Sequence, residues 1–296
     1  MSDARIDQVR RFNRTVTQRV GALSDSFLAR DRPLGEARML WEIGTEGCEV
    51  RALRHRLDLD SGHASRLLRS LERAGMVEVT PSSSDRRVRV ARLTREGRAE
   101  RGLLDKRSDE LATSMLRPLD AAQSKRLIEA MRTVERLLTF SAVEIRPVDP
   151  THPDARQCFR AYFEELDRRS ESGFDPDAGI SAAPHELTPP AGILLIAYLH
   201  AEAVGCGAVK HHADAPSEIK RMWVSSSARG LGLGRRLLGE LEASAARSGA
   251  TVAHLETNRA LTEAIALYRS AGYREVPAFN DEPFADHWFE KQLPRR

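Results

Sequence analysis

Cysteine is scarce in this chain. Cys48, Cys158 and Cys206 are its only three, odd in number and far apart. They exclude a disulfide framework and, by spacing, form no metal-ligand or redox pair; a reducing cytoplasm is the expected setting. Aromatic residues make up only 5% of the 296 positions, so any core must be mainly aliphatic. No stretch approaches the ~18 consecutive apolar residues of a membrane helix. The opening "MSDARIDQVRRFNRTV" is charged from its start and lacks the apolar centre of a signal peptide. His200, His211, His212, His254 and His287 match no ligand spacing, so no metal is expected. No fixed repeat period is present.

What the chain does have is charge, unevenly placed. The net charge of +3 conceals 28 Lys and Arg against 21 Asp and Glu over residues 1–140, and 18 against 22 over 141–296. A basic half and an acidic half suggest that the first meets a polyanion and the second does not. The length points to two domains or more.

Apolar periodicity predicts helices over 6–28, 35–43, 50–57 and 60–75, with "TEGCE" as a loop. The period then switches to two: "MVEVT" and "RVRVARL", joined by the polar "PSSSDR", read as a hairpin. Helices over 94–116 and 119–140 follow, separated at Pro118. The texture changes near Ser141–Glu144, which sets domains of 1–141 and 142–296. Beyond it the pattern predicts a strand at "VEIRPVDP", a helix over 153–169 and a long loop over 170–190. Strands are expected over 193–199, 203–210, 219–224 and 252–256, helices over 234–248 and 261–271, and two closing strands near 273–276 and 287–293.

In "DSGHASRLLRSLERAG", Ala64, Leu67, Leu68 and Leu71 form a buried stripe. Ser61, Gly62, His63, Ser65, Arg66 and Arg69 then face outward. Short polar residues at a helix start, with arginines a turn later, suit insertion into a major groove. The hairpin tip offers Arg86 and Arg87, and Asp85 could pair with one of them. The stretch from "LDLDSGHASRLLRSLERAG" through "DRRVRVARLTREGR" resembles the MarR family of dimeric transcription regulators over roughly residues 5–140. That resemblance implies a mainly α winged helix-turn-helix. It also implies a homodimer built from the first helix and the last two, and a palindromic double-stranded DNA operator. Carried over by position, Ser61, His63, Ser65, Arg66 and Arg69, with Arg86 or Arg87 at the wing, contact DNA.

"RGLGLG", Arg229–Gly234, lies between a strand and a helix. Read alone it leaves two answers open: a phosphate-bearing ligand lies against bare backbone at a helix start, or the turn simply needs glycine. Its spacing matches neither the nucleotide-triphosphatase loop nor the dinucleotide fingerprint. With "LETN" and "ALYRSAGYREV" downstream, the stretch resembles the GNAT N-acetyltransferases over about 143–296. That resemblance implies an α/β domain with a central mixed, mostly antiparallel sheet split by a bulge, and acetyl-CoA as donor. By position, the amides of Arg229, Gly230, Leu231, Gly232, Leu233 and Gly234 hold the pyrophosphate. Main-chain groups of Met222 and Val224 pair with the pantetheine, and Asn258 contacts the CoA arm.

Acyl transfer to an amine needs a base for the ammonium proton and a proton for the leaving thiolate. Glu218 is the first candidate base and Glu256 the second; Tyr268 is the candidate acid. Glu171, Asp175, Asp177 and Glu186 in the long loop either favour a cationic acceptor or are solvated. The expected whole is a DNA-binding regulator carrying an acetyltransferase that acts on a small-molecule or protein primary amine. A non-catalytic CoA sensor stays open as the second reading, and a first half that only dimerises as the third.

Overall fold

In the computed structural model the described residues are 3–23, 27–29, 31–83, 85–170, 173–175, 178–179, 182–213 and 215–294. The chain divides into two compact units, Met1–Arg132 and Thr133–Arg296.

The first unit holds α1 (Asp3–Arg19), α2 (Leu34–Ile43), β1 (Cys48–Glu49), α3 (Val50–Arg56), α4 (Ser61–Arg73), β2 (Val77–Pro81), β3 (Arg89–Leu93) and α5 (Arg95–Leu116). The division falls within α6 (Ala121–Ser141). Asp60 starts α4 by accepting a hydrogen bond from the His63 amide at 2.8 Å, the usual way an N-cap satisfies a free donor. Gly75 ends it at φ +69°. Thr94 caps α5 by accepting from Gly97 N and donates to Gly75 O. A Cβ on Gly97 would meet Met76 O at 2.0 Å, so this glycine lets α5 press against the root of the hairpin. Leu68, Leu71, Met39, Leu40, Ile43, Leu53 and Leu104 fill the core.

Two expectations are corrected here. The first helix does not run to Leu28: it stops at Arg19, and Leu28 lies in a short 3-10 turn at φ +54°. "TEGCE" is not wholly loop, because Cys48–Glu49 pairs with Ala91 and Val90 to form a third strand, in the order β1-β3-β2.

The second unit adds β4 (Glu144–Pro147), α7 (Pro153–Arg169), β5 (Gly192–Leu199), β6 (Glu202–Lys210), β7 (Ser217–Val224), α8 (Leu233–Arg247), β8 (Val252–Thr257), α9 (Thr262–Ser270), β9 (Arg274–Val276) and β10 (His287–Gln292). Its seven-stranded sheet has the order β4-β5-β6-β7-β8-β10-β9. β7 and β8 are parallel and the other pairs antiparallel, giving the mixed, mostly antiparallel sheet expected. Alternation along β5 serves two cores. Leu194, Ile196 and Tyr198 join the cluster containing α7 residues; Leu195 and Ala197 join the one containing α8 and α9 residues.

β6 and β7 slip register between Cys206 and Ala208. Opposite the slip, Arg221 adopts φ +55°, a strained conformation that costs about 1–3 kcal/mol. Spacing along the chain hid one association: the buried residues Cys158 and Cys206 share one core cluster. No described helix is long and apolar enough to cross a membrane.

Candidate functional site

β7 and β8 pair only at Ser217–Ala253 and Glu218–His254. Beyond Glu218 they part, while β8 stays paired with β10 as far as Thr257. The main chain of Ile219–Val224 therefore has no strand partner on that side among the described residues. Two cavities open in the split and share Tyr162, Leu166, Met222, Leu261 and Tyr268 in their walls.

The larger, a groove of about 380 Å³, is lined by Met222, Trp223, Val224, Arg229, Gly230, Gly232, Leu233, Gly234 and Tyr268, among others. The smaller, a chamber of about 110 Å³, is lined by Tyr162, Phe163, Phe174, Lys220, Arg221, Glu256, Asn258, Tyr268, Glu282 and Phe284, among others.

The turn has its own need for glycine. Gly230 at φ +75° and Gly232 at φ +84° occupy backbone that other residues resist, and a Cβ on Gly234 would crowd Leu267 at 3.2 Å. The turn also exposes donors: α8 begins after Gly232 with no side-chain cap, so its first amides and its dipole face the groove. Arg229 does not cover them. Its Nε donates to Val224 O at 3.0 Å, and its Nη2 pairs with Glu165.

At the chamber floor, Lys220 is 8% exposed and bonds both Glu218 Oε2, at 3.1 Å, and Glu256 Oε1. Burial pushes the Glu256 carboxyl up, and Lys220 recovers only part of that, so it stays above the ordinary carboxylate range. Burial also acts on Glu218, but Lys220, with Lys210 and His212, brings that carboxyl below the ordinary range. Burial alone would lower the Lys220 ammonium; the two carboxylates hold it raised instead. Glu256 Oε2 is buried with no hydrogen-bond partner among the described residues. Tyr268 is 5% exposed, and burial, with the Glu256 charge, raises its phenol well above the usual value.

In the first unit, Ser61, His63, Ser65, Arg66 and Arg69 are all exposed on α4, and Ala64, Leu68 and Leu71 are buried. At the hairpin tip Asp85 holds Arg87 through Nε at 3.1 Å and Nη2 at 3.0 Å. Arg86 is exposed, with no ion pair among the described residues.

Residues 190–275 match the model of the acetyltransferase (GNAT) domain family, and residues 31–88 that of the MarR family. An IAA acetyltransferase of Azospirillum brasilense is 34% identical over 117 residues, 39% of this chain and 76% of that protein. The chain belongs to the GNAT acetyltransferases. It carries a MarR-family segment ahead of its GNAT domain. An uncharacterized N-acetyltransferase of Schizosaccharomyces pombe is 36% identical over 98 residues, 32% of this chain and 60% of that protein, under two thirds of its length. A GNAT-family acetyltransferase structure from Staphylococcus aureus is 16% identical and covers 52% of this chain and all of its own, with a TM-score of 0.44.

Within the GNAT domain, Met222, Val224, Arg229, Gly230, Gly232, Leu233, Gly234 and Tyr268 come together on the groove, and Leu231 lies off its wall. Asn258 lines the chamber instead. Its Nδ2 donates to Phe284 O and its Oδ1 accepts from Ala260 N, so both ends secure neighbouring backbone. Glu256 lines the chamber, and Glu218 stands one lysine away from it.

Of the loop acids, Glu186 is taken by Lys210 and the Ala183 amide, Asp175 is exposed, and Glu171 and Asp177 lie outside the described residues. Lys220, Phe174, Glu282 and Phe284 were not singled out from sequence. Glu-x-Lys spacing, which puts Glu218 and Lys220 on one strand face, was the available signal. No group of three or more described His, Cys, Asp or Glu is arranged to hold a metal ion.

Proposed function

We propose that this protein is a DNA-binding transcription regulator, residues 1–141, whose acetyltransferase domain, residues 142–296, moves an acetyl group from acetyl-CoA to a primary amine in the cytoplasm. The observation that carries the enzymatic half is that the two cavities share a wall that includes Tyr268. One runs back to open helix amides; the other holds a carboxylate of raised proton affinity.

The groove suits acetyl-CoA. The uncapped amides at the start of α8 fit a diphosphate, and the free edge of β7 fits a pantetheine laid on as an extra strand. The donor supplies an activated acyl thioester. Glu256, rather than Glu218, is assigned as base, because it lines the chamber and its raised pKa brings it closer to the ammonium it must deprotonate. Glu256 takes the proton, directly or through water, and the neutral nitrogen forms the new N–C bond and sheds its second proton to water as the C–S bond breaks. Tyr268, protonated at any pH near neutrality, offers its proton to the sulfur and regains one from solvent. The net yield is amide, free thiol and one proton. Lys220 positions the two carboxylates.

For the first unit we assign Ser61, His63, Ser65, Arg66 and Arg69 to the major groove, and Arg86 to the wing contact because Asp85 occupies Arg87. Exposed apolar side chains on α1 (Val9, Phe12, Val16) and on the first-unit part of α6 (Ile128, Met131) support a homodimer, since clustered water-facing apolar groups mark interfaces.

The test uses the full chain. Free thiol should accumulate from acetyl-CoA only when primary amines are added; saturable CoA binding with no thiol from any amine would replace the enzyme by a sensor. Duplex affinity should fall steeply as salt rises, and no salt-sensitive binding would leave the first half as a dimerisation device.

A further inference from the structure

We infer that the acceptor is an arylalkylamine: a primary amine on a short arm from an aromatic ring. The inference rests on the enzymatic reading above and names the substrate class of the same chamber.

Aromatic residues are few in this chain, with nine Phe, four Tyr and three Trp. Yet Tyr162, Phe163, Phe174, Tyr268 and Phe284 all line this one cavity. They come from α7, the loop after it, α9 and the segment before β10, so no local sequence pattern explains the cluster. Phe163 stacks on Phe174 at 5.6 Å between centroids, Phe174 meets Phe284 at 4.8 Å, and Tyr162 meets Phe163 at 5.4 Å. Phe163, Phe174 and Phe284 are each only half-buried. A wall of half-buried rings around a chamber is incomplete packing, and another ring completes it through offset or edge contacts.

Polar side chains line the same chamber. Glu256 has 9% of its side chain exposed, and its Oε2 is buried without a partner. Glu256 and Glu282 both line the chamber, and a carboxylate there gives a ligand's ammonium an anionic partner. A cluster of rings and a lining carboxylate in one chamber thus match a molecule with one amine and one ring.

Charge and size narrow the class further. Two cations, Lys220 and Arg221, line the chamber with two acids, Glu256 and Glu282, so there is no excess of negative charge to hold a polyamine. The Arg221 guanidinium lies 4.2 Å from the Phe159 ring centroid and donates to Ala182 O at 2.8 Å. A volume of about 110 Å³ corresponds to roughly eight water-sized units, room for a six-membered ring and a short arm.

The experiment is calorimetric titration of full-length protein saturated with CoA, which reads binding whether or not turnover occurs. The probes are phenethylamine, n-hexylamine and cadaverine. Phenethylamine should bind at least tenfold tighter than either aliphatic amine. Phe174→Leu should weaken phenethylamine about fivefold while leaving CoA affinity unchanged, and Phe174→Tyr should restore it. Equal or tighter binding of n-hexylamine or cadaverine overturns the inference, as does a Phe174→Leu variant that binds phenethylamine like wild type. A parallel thiol-release assay separates the two readings. Turnover that favours aliphatic amines keeps the enzyme and rejects the arylalkylamine. Tight phenethylamine binding without thiol release keeps the ligand class and rejects the enzyme.

Discussion

Arg66 on α4 and Lys220 on β7 are both cations in polar positions, and the fold treats them in opposite ways. Arg66 is exposed, with no ion pair among the described residues; Lys220 is 8% exposed and held between two carboxylates. Arg66 keeps its charge open at the surface, where neutralising it carries little desolvation cost. Lys220 is buried and satisfied, and the leftover imbalance becomes altered proton affinity at Glu256. On the proposed function, the open charge at Arg66 serves recognition and the constrained charge at Lys220 serves chemistry.

The contrast breaks most visibly at Tyr268. Tyr268→Phe should lower kcat about a hundredfold with the KM for acetyl-CoA and the duplex affinity unchanged, measured by thiol release and fluorescence anisotropy. Full retained turnover would remove the tyrosine from the chemistry. Next comes the surface cation. Arg66→Ala should cost about 1–3 kcal/mol of operator affinity and leave acetyl transfer intact; unchanged affinity would take α4 out of the groove. Third is the backbone donor site. Gly232→Ala, at φ +84°, should weaken acetyl-CoA binding by about tenfold through about 1–2 kcal/mol of backbone strain, visible as a raised KM with kcat nearly kept.

The same contrast governs what could be read in the sequence. The stripe of Ala64, Leu68 and Leu71 and the exposed face around Arg66 are local, set by 3.6-residue periodicity, and both were legible. So were the glycine turn and the succession of strands and helices along the chain, because flanking periodicities changed there. The chamber was not legible. Its floor joins Lys220 to Glu256 across 36 positions, and its wall brings Phe174 to Phe284 from loops with no periodicity. Lys220 looks like a solvated strand residue until β7 and β8 part beside it. The end of α1 was missed for a different reason: apolar spacing continues through Leu23 and Phe27, but Phe27 is used in the core of the first unit from a 3-10 turn. Cys158 and Cys206 share a core cluster only because α7 lies over β6.

Proton affinity offers a finer probe of constrained charge. Glu256 must be ionised to accept a proton, so kcat/KM should rise with pH through a limb lying above the ordinary carboxylate value of 4.5. Lys220 is what holds that limb down. Lys220→Met should therefore shift it to higher pH by about one unit, with little effect on duplex binding. A limb that did not move would mean that Lys220 only supports the fold. A shift to lower pH would assign the limb to a different group.

The smallest effect tests whether exposed pairs in the second unit behave like the surface charges of the first. Glu263 pairs with Arg169 at 2.8 Å and is 68% exposed. The Arg169 hydrogen bond lowers its pKa from 4.5 to about 2. A depressed pKa stabilises the fold above the unfolded value and loses that contribution as pH falls from about 4.5 toward 2. Solvent screening at this exposure limits it to under about 0.5 kcal/mol. Glu263→Gln should then lower the thermal midpoint by under about 2 °C at pH 7 and by nothing near pH 2, and 1 M salt should erase the difference. A larger loss at pH 7 that survives salt would mean that Glu263 acts by fixing Arg169 against the groove wall. The pair would then belong with the buried charges around Lys220, despite its exposure.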